Sequence, residues 1–228
     1  VSKTIKPLQE IVKAITSLGK YGNLGKRGKA KDVADLYLTN LAQGSFGYEL
    51  SVLSPKELFE EQEISKSIQQ TIHIIEETTK GNDEFERVIE NVPNRVINNL
   101  KFFFKEVSDE DSILKMESGT NYIELPSSAM KEGYARVSST NIEETLIAIR
   151  GIFKGALIES EKFEILDENG NIIRGPIGED LSSEEITQYN KAFSDEECMI
   201  YIQKSIITFN NGKRKFKYVL EEIKPIKK

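Results

Sequence analysis

Two Asn-Gly dipeptides in the second half of this 228-residue chain constrain its fold more than any other feature. Asn169-Gly170 lies between strand-like runs at 162–166 and 171–177, and Asn211-Gly212 between runs at 197–209 and 213–223. Each dipeptide, flanked by β-branched and aromatic residues, predicts a hairpin. Upstream, residues 143–158 read as one long strand that can bend sharply at Gly151 and Gly155. Between the hairpins, Ser182-Ser183-Glu184-Glu185 opens a helix to about residue 193 with a capping box, Ser at the cap and Glu three residues on. The expected order is strand, strand, strand, helix, strand, strand.

That order, with a long first strand bent by glycine, resembles the OB-fold, a five-stranded partly open barrel. The resemblance covers about residues 143–223 and rests on element order and the two hairpins. An SH3-like barrel is the alternative, and a three-turn helix before the fourth strand fits it less well.

The first half reads differently. Leu8, Ile11, Val12, Ile15 and Leu18 recur at helical spacing, so 3–18 is an amphipathic helix. A glycine run from Gly19 to Gly28 follows. Residues 36–53 suggest two strands around Gln43-Gly44-Ser45. Ser54-Pro55-Lys56-Glu57 is a second capping box, opening a helix over 55–80 that Gln62 could interrupt. Helices at 83–91 and 94–107 are parted by Pro93, two short strands fall at 112–117 and 121–125, and a helix at 127–137 closes the region. The polar stretch Ser138-Ser139-Thr140-Asn141 marks the boundary. The fold class is therefore α+β: residues 1–140 form a mixed helix and antiparallel-sheet domain with a basic first helix and a Gly/Lys linker, and residues 141–228 form the small barrel.

Composition excludes several chemistries. With one cysteine, Cys198, no intrachain disulfide forms, and one histidine, His73, cannot complete a Cys/His zinc site. Any triad mechanism would have to use His73. On its helix His73 shares a polar track with Gln69, Glu76 and Lys80, opposite Ile64, Ile68, Ile72 and Ile75, and so faces water. Cys198 alternates with Ile200 and Ile202 and reads as a small core residue, with Glu196 and Glu197 disfavouring its thiolate. The acidic pairs Glu60-Glu61, Glu76-Glu77, Glu143-Glu144 and Glu184-Glu185 read as solvated faces and turns, because helical neighbours point about 100° apart. No Walker A or dinucleotide fingerprint occurs in the glycine run. No catalytic residue, metal or cofactor is expected.

The formal net charge of -6 hides strong segregation. Residues 1–31 carry a net +7, residues 32–140 a net -10 and residues 141–228 a net -3. Two basic places stand out. Lys26, Arg27, Lys29 and Lys31 sit among glycines that allow close approach to an anion. Lys213, Arg214, Lys215 and Lys217 surround Phe216 and precede Tyr218 on the expected last strand. Cations beside aromatics suit single-stranded nucleic acid, through backbone attraction and base stacking. The plainer reading puts Phe216, Tyr218 and Leu220 in the barrel core, with the lysines guarding an edge strand.

Lysine outnumbers arginine 24 to 7 and isoleucine occurs 28 times, a bias of AT-rich coding sequences that points to a bacterial or phage chain. No apolar leader or membrane-length run is present, which fits a cytoplasmic protein, and the start at Val1 suits a mature form, a trimmed chain or a fragment. Three function classes follow. The first is a non-enzymatic interaction module or adaptor subunit with a protein partner. The second is a single-stranded nucleic-acid module using the basic last strand. The third, an enzyme restricted to carboxylates, lysines and hydroxyls, has the least support.

Overall fold

The computed structural model describes residues 2–21, 36–41, 48–52, 58–90, 92–109 and 113–226. Among these, contacts divide the chain into two compact units, one built mainly on residues up to Ser139 and the other mainly on residues from Thr140 onward.

The first unit is mostly helical. Helix α1 (Ser2–Tyr21) runs through Gly19, further than its apolar repeat predicts, and buries Ile11, Val12 and Ile15. Strands β1 (Leu36–Leu41) and β2 (Tyr48–Val52) pair antiparallel. The capping box at Ser54 lies outside the described residues. Helix α2 (Leu58–Lys80) is continuous, with no break at Gln62. It is followed by α3 (Asn82–Val88), α4 (Asn94–Ser108), the hairpin β3 (Leu114–Ser118) and β4 (Asn121–Leu125), and α5 (Ser127–Ser138). Leu100, Phe103 and Phe104 of α4, Ile74 and Ile75 of α2, Phe85 of α3 and Met130 of α5 are fully buried. Arg136 of α5 donates to the Thr78 carbonyl near the α2 C-terminus and to Asn82 Oδ1 at 2.9 Å. It thereby satisfies a carbonyl that the helix end would leave unpaired. No described helix is long and apolar enough to cross a membrane.

The second unit is a curled five-stranded antiparallel sheet, a half-barrel, with one helix. Strands β5 (Asn141–Leu157), β6 (Lys162–Asp167), β7 (Ile172–Pro176), β8 (Glu197–Thr208) and β9 (Arg214–Pro225) are ordered β7-β6-β5-β8-β9. Helix α6 (Ser183–Phe193) opens with the expected capping box between Ser182 and Glu185. Both Asn-Gly hairpins form, with the same geometry. Gly170 (φ 80°) and Gly212 (φ 79°) take the left-handed conformation, while Asn169 and Asn211 do not. The pairs Asp167/Asn171 and Phe209/Lys213 close three-residue loops, a turn followed by a left-handed glycine.

Strand β5 explains the curl. Its register slips between Phe153 and Gly155, and the bulge bends it from pairing with β8 to pairing with β6. Beyond Ile152, strand β8 no longer covers its edge. The Asp195–Glu196 loop bonds both backbone groups of Phe153, and the Asn190 side chain bonds both the N–H and the C=O of Ala156. The open edges of the sheet meet at β7 and β9, where Ile177 forms a parallel bridge with Leu220 and Gly178 N donates to Leu220 O at 2.7 Å. Gly175 permits this approach, since a Cβ there would run into the Tyr218 carbonyl. Phe153, Phe163, Ile165, Cys198, Ile200, Ile202, Leu220 and Ile223 fill the interior, with Ile186, Tyr189 and Phe193 of α6 packed at one end.

Candidate functional site

The basic run on β9 divides by strand alternation. Register pairs Lys215 with Ile207 and Lys217 with Ser205, on one face of the sheet. Arg214, Phe216 and Tyr218 lie opposite Thr208, Ile206 and Lys204, on the face that continues into the buried Ile202 and Leu220. The plainer reading therefore needs one correction. Leu220 is core and Tyr218 packs against it, but Phe216 is 48% exposed. The barrel interior ends before Phe216, because the β5–β8–β9 ribbon runs on past the end of β6 pairing. Lys204 Nζ lies over the Phe216 ring, 5.3 Å from its centroid. Lys213 sits in the hairpin turn, its N–H bonded to Asn211 Oδ1. Lys26, Arg27, Lys29 and Lys31 lie outside the described residues.

The convex face of β5, β6 and β7 carries a second feature that linear sequence did not single out. Register aligns Ile152, Leu166 and Ile172 in one cross-strand row. Their neighbours Phe153, Ile165 and Ile173 point inward, so this row points outward, and Ile172 is 56% exposed. Ion pairs flank the row. Arg150 grips Glu197 with two bonds of 2.9 Å, Arg174 meets Glu164 at 2.5 Å, and Lys154 pairs with Asp195. The Arg150 guanidinium holds the Glu197 carboxyl below the usual carboxylate range. The row is thus an apolar strip on the outer face of the sheet, flanked by three ion pairs. The signal was present in sequence as alternation along three strands, but only the register places the three side chains side by side.

His73 and Cys198 stand where the sequence puts them. His73 is exposed on α2. Cys198 is fully buried, and burial first, then the Glu197 charge, pushes its thiol up, which leaves little thiolate to react. The Glu76-Glu77 pair needs correction. Glu77 is buried rather than solvated, because α3 folds back beside α2 and brings Arg87 to 2.7 Å. Lys80 bonds Glu77 at 2.8 Å and Glu76 at 3.0 Å. The Lys80 bond lowers the Glu77 pKa against the opposing effect of burial, with Arg87 adding to it. The ligand atoms of His73, Glu76 and Glu77 lie within 4.8 Å of one another. A divalent ion there would have to displace Lys80, and the cluster reads as an ion-pair knot that fastens α3 to α2.

No protein-family model, curated protein or solved structure matches this chain.

Proposed function

We propose that this chain is a non-enzymatic interaction module, an adaptor of a bacterial or phage system, whose OB-like half-barrel docks a protein partner. The outward row Ile152–Leu166–Ile172 carries this reading. In OB-folds the face of the second and third strands takes oligonucleotides or oligosaccharides, and the corresponding strands here are β6 and β7. Their outward face is aliphatic and rimmed by balanced ion pairs, with neither the aromatic platforms nor the excess of cations that nucleic acid needs. The OB-like assignment is supported by the strand order and by the parallel approach of β7 to β9. An SH3-like barrel fits a capped helix, α6, before its fourth strand less well.

The test is co-purification from the source cell with tagged chain. A stoichiometric protein partner is expected. Ile172→Glu and Leu166→Glu should release it by placing charge at the centre of the interface, and Lys217→Gln on β9 should retain it. Retention of the partner by both glutamate variants would refute the assignment of this face.

A further inference from the structure

The end of the β8–β9 hairpin lies apart from the convex β5–β6–β7 face and presents a different surface. We propose that it binds a short stretch of single-stranded nucleic acid, with Phe216 as the stacking platform and Lys204 and Arg214 meeting the phosphates.

Exposure of an aromatic ring at a strand end is the first observation. Phe216 is half exposed although its strand neighbours Tyr218 and Leu220 pack inward on the same face. It therefore presents ring surface that folding does not use, beside a structured hairpin rather than on a bare loop. Charge is the second. On this face Arg214 precedes Phe216 by two residues, and Lys204 lies over its ring. Glu143 is the carboxylate in the same cross-strand row, and the Asn141 amide bonds it at 2.9 Å. The surface is thus an aromatic between cations, which matches the alternation of base and phosphate along a single strand. A protein partner would sooner use the aliphatic row on the convex face, where charge is balanced.

Register adds a feature that composition could not supply. Lys215 and Lys217 belong to the opposite face of β9, across from Ile207 and Ser205. The basic run is consequently not one patch. Arg214 and Lys204 share the face of Phe216, while Lys213, Lys215 and Lys217 belong to the other side of the hairpin.

The test is fluorescence anisotropy of the full chain with a labelled 12-mer of deoxythymidine. Binding is expected at low salt, weakening with a log–log slope of about -1.4 if two phosphates are neutralised at about 0.7 each. Phe216→Ala should weaken binding about tenfold, and Phe216→Tyr should restore it, since any ring can stack. Lys204→Gln or Arg214→Gln should each flatten the slope by about 0.7. Lys215→Gln with Lys217→Gln should leave the effect of Phe216→Ala unchanged. Circular dichroism will confirm that each variant is folded, which the exposure of Phe216 favours. Absence of binding at low salt overturns the proposal. So does equal affinity of wild type and Phe216→Ala, or a larger loss from the Lys215/Lys217 pair than from Lys204 and Arg214. A protein partner that is lost with Phe216→Ala while oligonucleotide fails to bind also overturns it. Ile172→Glu separates this surface from the convex one and should leave oligonucleotide binding intact.

Discussion

Asn190 is the side chain whose removal tests the half-barrel most directly. Strand β8 pairs with β5 only as far as Ile152, so the far end of β5 needs another partner for its backbone. Asn190 supplies it, accepting from Ala156 N at 2.9 Å and donating to Ala156 O at 2.8 Å. Asn190→Ala removes both bonds and leaves a partly buried peptide edge. Each net hydrogen bond contributes about 1 kcal/mol, so the expected loss is about 2 kcal/mol. With a urea slope of about 2 kcal/mol per molar, the midpoint should fall by about 1 M. Tyrosine fluorescence can follow it, since Tyr189 and Tyr218 pack against the half-barrel core. Exchange of the Ala156 amide gives a local readout and should accelerate in step. Asn190→Asp keeps an acceptor for the N–H but sets a carboxylate against the Ala156 carbonyl, and should lose at least as much. An unchanged midpoint in Asn190→Ala, with the Ala156 amide still protected, would refute the idea that a side chain replaces the missing strand.

Three further outcomes are expected. Glu77 has a lowered pKa in the folded chain, so its contribution is present above the ordinary carboxylate range and is lost as pH falls through the folded value. Melting temperatures across acid pH should show that loss, and Glu77→Gln should flatten the profile. Cys198 is buried with its thiol pushed up, so a thiol reagent at pH 8 should leave native protein unmodified and react on unfolding in urea. Modification of native protein at the unfolded rate would contradict the core assignment. Gly175→Val should cost more than about 3 kcal/mol, because its side chain collides with β9 where the sheet edges meet. A variant as stable as wild type in urea would mean that β7 and β9 do not close there.

Local signals in the sequence determine much of the second unit. Asn-Gly pairs, the Ser182 capping box and alternation along the strands place every element from β5 to β9, because turns, caps and pleats are written in residues a few positions apart. The same logic puts Cys198 inside and His73 outside. What depends on register or on distant partners was decided only by the tertiary structure. The Lys213–Lys217 run became two faces and released Phe216 from the core, because the ribbon outruns the barrel. Glu77 became a buried ion-pair partner because α3 turns back onto α2 and delivers Arg87. Ile152, Leu166 and Ile172 became one row because a bulge in β5 sets which residues of three strands lie abreast. A strand's alternation is encoded along the chain, but its neighbours are fixed by pairing across it, and both proposed surfaces depend on those neighbours.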